Sequence, residues 1–262
     1  EGSVSYLYYA DRMVQFPLGV FAIALATAVL PSLSKQAALN DMEELRSSFS
    51  YALRLVFFIT IPAMTGLIIL REPIISLLFQ RGAFDAASSR LTAEAVLYYA
   101  VGLWAFSGVR IVVSAFYSLQ DTKTPVKTAV VSLVANVVLS LLLMGPMLHG
   151  GLALATSLAS SVNLTLLILA LRKRLGRIGA RSIFQSVFRS TVCAAVMGSV
   201  IGMVGLWAAP RCGNSTWYLL IWVLGSVGAG AIVYGAVALL FRSQELRAVV
   251  DMVRTSLRKQ HA

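Results

Sequence analysis

Long apolar stretches fill most of the chain, at about Gly2 to Leu30, Ala52 to Leu70, Leu91 to Leu119, Val126 to Met144, Gly151 to Leu171, Ile183 to Ala208 and Trp217 to Phe241. A helix rises about 1.5 Å per residue, so a run of about 20 apolar residues crosses a hydrocarbon core about 30 Å thick. The pattern therefore predicts an all-α membrane protein of about seven transmembrane helices. Polar positions fall into two groups: charged links between the stretches, and isolated side chains within them.

Composition supports a lipid environment. Hydrophobic residues make up 58% of the chain and charged residues 13%, against about 25% charged in a soluble domain. The net charge of +11 raises the question of nucleic acid, but the basic residues cluster between apolar segments and in the tail, which is the distribution of membrane topology. The densest cluster is the Leu171-Arg172-Lys173-Arg174-Leu175-Gly176-Arg177 link, which the positive-inside rule places in the cytoplasm. Alternation then puts Lys35, Arg46, Lys123, Lys127 and the tail residues Arg242, Arg247, Arg254, Arg258 and Lys259 on the same side, leaving Arg71, Arg81, Arg90 and Arg211 opposite. The N-terminal end is expected outside and the C-terminus inside. Glu245 to Lys259 reads as a basic amphipathic helix on the inner membrane surface.

The chain begins at Glu1 with no charged leader and is expected to be a fragment or a processed piece. Cys193 and Cys212 lie at different predicted depths and match no metal spacing. Gly198 and Gly202 form a GxxxG pair, and Gly225, Gly228 and Gly230 crowd the last span, as close helix packing or as ordinary membrane glycines.

Polar groups inside spans are costly and carry the candidate chemistry. Ser5, Tyr8, Arg12, Gln15 and Gly19 recur at three- and four-residue steps, making one face of the first span polar. Pro17 cannot donate to the carbonyl of Met13, so a bend is expected beside Arg12. Arg12 either binds an anionic substrate group or pairs with a carboxylate on another helix; Asp11 sits about 100° around the helix from it. Ser107, Arg110, Ser114, Tyr117 and Asp121 repeat the spacing in the third span, and Arg110 lines the same cavity, snorkels, or reaches Asp121 indirectly. Tyr8, Gln15, Ser5 and Arg110 accompany Arg12 as candidate substrate ligands. Thr124, Thr128, Ser132, Asn136 and Ser140 line the fourth span, and Thr156, Ser160 and Asn163 the fifth. These oxygens serve a hard monovalent cation or act as interhelical hydrogen bonders. His149 and His261 have no nucleophile or metal spacing around them, and no phosphate-cradling glycine motif is present, so the chain is read as no enzyme.

The run Gly2-Ser3-Val4-Ser5-Tyr6-Leu7-Tyr8-Tyr9-Ala10-Asp11-Arg12, continuing through Pro17-Leu18-Gly19-Val20 to Leu30-Pro31-Ser32-Leu33-Ser34, closely resembles the MurJ (MviN) lipid II flippases. Leu78 to Phe84, Ala115 to Pro125 and the small-residue run from Gly150 to Asn163 resemble the family in the same order. The resemblance covers the chain to about Leu171 and, more loosely, the last two helices. It implies the multidrug/oligosaccharidyl-lipid/polysaccharide exporter fold, two helical bundles facing a central cavity, with this chain resembling the eighth through fourteenth spans of fourteen. It implies a C-terminal transport bundle over 1–171, a basic loop and two helices of a lipid-tail groove over 172–241, and a cytoplasmic tail over 242–262. Arg12 matches the family arginine taken to engage the substrate diphosphate. Asn136 and Thr156 match positions of a proposed cation site, though Ser140 stands where a carboxylate can occur.

The function so implied is translocation of lipid II across the bacterial cytoplasmic (inner) membrane by alternating access. The partners are lipid II, membrane lipids and a missing N-terminal half, with no nucleic acid. No cofactor is expected beyond a monovalent cation such as sodium, or a proton gradient, for coupling. Alternatives are export of another lipid-linked oligosaccharide, a cation-coupled small-molecule exporter of the same fold, and a non-transporting membrane scaffold for cell-wall synthesis.

Overall fold

The computed structural model describes residues 3–82, 84–176, 178–208, 216–241 and 243–246. Within them the chain is helical: α1 (Ser3–Pro17), a π-helical turn (Leu18–Ile23), α2 (Ala24–Ala38), α3 (Met42–Phe79), α4 (Ala86–Val101), α5 (Leu103–Ser118), α6 (Lys123–Leu175), α7 (Ala180–Ala208) and α8 (Thr216–Leu240). Arg211, Cys212 and the tail from Arg247 onward, including most of the expected amphipathic helix, lie outside the described residues.

Five helices are long and apolar enough to cross a membrane, and α4 with α5, bent by 42° at their junction, forms a sixth candidate. One of the five, α6, is 53 residues long, or about 80 Å of continuous helix, far more than a bilayer needs. Its backbone breaks at Leu148, where φ is 49° and ψ is −127°. Two contacts show that the chain folds back there. Ser132 Oγ donates to the Ala159 carbonyl at 2.8 Å, and a Cβ on Gly151 would lie 2.3 Å from the Leu143 carbonyl oxygen. α6 is thus an antiparallel hairpin with limbs 123–147 and 149–175, which restores the sevenfold reading.

The expected spans are shorter than the helices. The first stretch runs on past Leu30 through Pro31 to Ala38, and α3 continues past Leu70 through Pro73 to Phe79. Caps set several ends: Asp41 accepts from the Glu44 N–H at 3.1 Å, Asp85 from the Ser88 N–H at 2.8 Å, and Asp121 from the Thr124 N–H at 3.0 Å. Each leaves an orphan amide satisfied. Asp85 and Asp121 are held below the ordinary carboxylate range chiefly by these backbone hydrogen bonds.

α3 is the central helix, packed against α2, α4, α5, α7 and α8. Leu45, Phe49, Leu53, Val56 and Phe57 on it meet Leu33, Ile111, Phe116, Leu164 and Leu167 in one buried core. The first limb of α6 is peripheral, and its valines and leucines, such as Val130, Leu133 and Leu141, are more than half exposed. For a lipid-facing helix this is the ordinary solvent contact. Small residues permit the tightest crossings. A Cβ on Gly198 would meet Ile69 and Thr65 of α3 at 2.9 Å, and one on Gly230 would meet Ile201 of α7 at 2.7 Å. Gly202, Gly225 and Gly228 face open space.

The third span is broken where the sequence reads as one helix. Gly102 separates α4 from α5, and Ser157 Oγ, reaching from the second limb of α6, donates to the Tyr98 carbonyl at 2.7 Å. A Cβ on Gly102 would stand 2.5 Å from that same Oγ and 2.8 Å from the Ser157 Cα. Backbone cannot yield as a side-chain tip can, so Gly102→Ala is expected to destabilise the bundle by about 1–3 kcal/mol. A lowered thermal midpoint of the detergent-solubilised protein checks this; an unchanged midpoint would show that the crossing relaxes freely.

Candidate functional site

The polar face of α1 is intact and outward. Ser5, Tyr8, Arg12 and Gln15 are all exposed. Arg12 Nη1 donates to Gln15 Oε1 at 3.3 Å and Nη2 to the Tyr8 hydroxyl at 3.2 Å, with the guanidinium 5.0 Å from the Tyr8 ring centroid. Gln15 in turn donates to Asp11 Oδ2. Among the described residues no carboxylate forms an ion pair with Arg12. The neighbours therefore orient the guanidinium without pairing it directly; Asp11, bridged to it through Gln15, offsets part of its charge, and the open side of the fork suits an anionic partner.

Just beyond Arg12 the backbone changes helical type. Pro17 ends α1 without an N–H to donate, and Leu18–Ile23 follows as a π-helical turn. The expected bend is realised as this local widening, a form that recurs at functional sites.

Arg12 lines a cavity of about 800 Å³ between α1, α3, α7 and α8. The rest of the wall is almost wholly apolar, with Phe16, Ile59, Leu67, Ile201 and Val227 among its residues. Tyr234 also lines it, but its hydroxyl donates to the Phe58 carbonyl at 2.8 Å. The last two helices share this wall with α1 and α3, which supply much of it. The helix-facing apolar residues escaped sequence reading because a side chain lining a dry groove has the same chemistry as one facing lipid.

Leu246 closes the cavity beyond the end of α8, and the neighbouring Glu245 latches that segment down. Its carboxylate accepts from Ser186 Oγ of α7 and from Ser243 Oγ, both at 2.9 Å, and lies 3.5 Å from Arg54 of α3. Burial pushes the Glu245 carboxyl up, but the hydrogen bonds to it and the Arg54 charge outweigh burial and leave it below the ordinary range. A carboxylate depressed on folding contributes stability above its unfolded pKa, about 4.3 for glutamate, and loses it as pH falls through the folded value. Thermal stability should be level in this respect from pH 7 to 5 and drop below about 4.3, and Glu245→Gln should flatten the Glu245 part of that fall. An identical pH profile in the variant would remove the latch.

Other sequence candidates lie elsewhere. Arg110 is exposed on α5, does not line the Arg12 cavity, and makes no hydrogen bond or ion pair through its side chain among the described residues. Ser107, Arg110, Ser114 and Tyr117 share one face of α5. The Ser107 and Ser114 hydroxyls turn onto carbonyls of their own helix, and Asp121 lies beyond α5, paired with Arg174. The hairpin register sets Asn136 at the level of Thr156, yet Asn136 Oδ1 accepts from Ser140 at 3.3 Å and the Thr156 hydroxyl donates to Leu152. Among the described residues no group of three or more His, Cys, Asp or Glu side chains gathers. A neutral donor set engaged within its own helices does not fit a cation site well.

These features define a multi-pass, all-helical membrane protein whose cavity joins one guanidinium to an apolar groove. The chain belongs to the MurJ lipid II flippase family, whose model matches residues 1–228. It is similar to the probable lipid II flippase MurJ of Vibrio cholerae, 34% identical over 260 residues, covering 95% of this chain and 48% of that protein. The probable lipid II flippase MurJ of Rickettsia prowazekii is 40% identical over 167 residues, 64% of this chain and 33% of its own length. A solved structure of lipid II flippase MurJ in an inward closed conformation superposes with a TM-score of 0.75 at 26% identity, over 92% of this chain and 48% of that one. The chain thus spans one third to one half of the length of these relatives.

Proposed function

We propose that this bundle is one wall of a lipid II flippase of the bacterial inner membrane, the opposing wall coming from the part of the family fold that the chain does not span. The observation that carries this reading is Arg12, a cation without a direct ion pair among the described residues, at the edge of an apolar cavity of about 800 Å³. A lipid-linked diphosphate has the matching form, with anionic oxygens at one end and a long hydrocarbon at the other. The guanidinium fork can hold two phosphate oxygens at once, replacing part of their water, while the tail lies along the groove between α1, α3, α7 and α8. Tyr8 and Gln15 hold the fork in place. No bond is made or broken; the work is binding and movement, and alternating access follows from rocking of two walls about the bound head group.

Lys35, Arg46, Lys123, Lys127 and the Arg172-Lys173-Arg174 run lie around one end of the bundle, where α2, α3, α5 and α6 meet. The positive-inside rule supports placing that end, and with it the C-terminus, in the cytoplasm. Loss of lipid II translocation by the complete protein on replacing Arg12 is the direct test.

A further inference from the structure

At this basic end a second cleft, of about 630 Å³, opens where α2, α3, α5 and the second limb of α6 come together. It shares no lining residue with the Arg12 cavity. Two guanidinium groups line it, Arg46 and Arg174. Arg174 is neutralised by Asp121, whose carboxylate also caps α6 through Thr124. Arg46 has no ion pair among the described residues, and its Nε is shut off from solvent without a hydrogen-bond partner. A donor in that position is costly unless something supplies an acceptor.

The remaining wall has two characters. Ser34, Tyr117, Ser118 and Gln120 bring hydroxyl and amide groups, while alanine, methionine and leucine side chains form the rest. The charged side chains lining or pairing into the cleft leave one positive charge in excess. Such a site suits an amphiphilic anion carrying tetrahedral oxygens, because a guanidinium fork matches phosphate geometry and the apolar wall accepts the adjoining carbon chain. Basic pockets between spanning helices near a membrane surface hold phospholipid head groups by this chemistry.

We infer that this cleft is a binding site for a phosphate group, with Arg46 as its principal ligand, and that the mixed wall favours the head group of an anionic phospholipid over free phosphate. A bound phosphate there would join the ends of four helices. The site is independent of the substrate reading, since neither cavity depends on the other for its ligands.

Native mass spectrometry of the purified chain in detergent tests it with three probes: phosphatidylglycerol, phosphatidylcholine and inorganic phosphate. One phosphatidylglycerol is expected to be retained at concentrations where phosphatidylcholine is not. Arg46→Gln should weaken that retention at least tenfold, whereas Lys173→Gln, the same charge change at an exposed position, should alter it less than twofold. Ala38→Phe, which narrows the cleft without touching its charge, should also weaken retention and decides the matter if Arg46→Gln does not fold. Arg46-dependent binding of inorganic phosphate without phosphatidylglycerol would support the phosphate site and assign it a soluble source. Binding of both probes unchanged in the Arg46 and Ala38 variants overturns the site, and so does an equal loss in Lys173→Gln.

Discussion

Arg12→Ala in the complete protein should abolish lipid II translocation while leaving membrane insertion intact. Two charge-assisted hydrogen bonds are worth about 1.5–3 kcal/mol each, so their loss corresponds to roughly 10² to 10⁴-fold in rate or affinity at about 1.4 kcal/mol per tenfold. Insertion should survive because removing a membrane-embedded guanidinium relieves a cost of about 2.5 kcal/mol. Arg12→Lys keeps the charge but loses the planar fork, and an intermediate rate is expected. Translocation of a fluorescent lipid II analogue in proteoliposomes, with protein level measured in parallel, gives the result. Normal transport by the alanine variant would remove Arg12 from the substrate path.

The second large effect is expected from filling the groove. Gly66 lines the cavity from α3, and a Cβ there meets nothing within 4 Å. Gly66→Phe therefore projects a ring toward the space assigned to the hydrocarbon tail. Translocation should fall at least tenfold, while thermal stability stays level or rises, because glycine costs about 1 kcal/mol relative to alanine inside a helix. Gly66→Ala should transport nearly normally. If the phenylalanine variant transports at the parental rate, the tail takes another route.

Much of this was legible in the chain before its structure. Apolar length predicts the spans, and the hairpin in α6 preserves their number. The three- and four-residue spacing of Ser5, Tyr8, Arg12 and Gln15 predicts one face, and the hydrogen bonds from Arg12 to Tyr8 and Gln15 bear that geometry out. Other features depend on partners distant in sequence. The break at Gly102 is stabilised by Ser157, 55 residues away by their numbers, and Asp121 finds Arg174 across the whole of α6. Leu148 adopts a positive φ that leucine rarely takes, so its residue type announces no turn. On α5 the same spacing also gives one face, but its serine hydroxyls are satisfied on their own helix and need no polar cavity.

The near absence of polar groups along the cavity wall has a consequence for selectivity. Apolar side chains impose a cross-section but offer no fixed point against which the length of a hydrocarbon can be registered. Discrimination among lipid carriers that differ only in the number of repeating units must then be weak. On the proposed function, the cargo is then selected at its head group and not by the length of its tail.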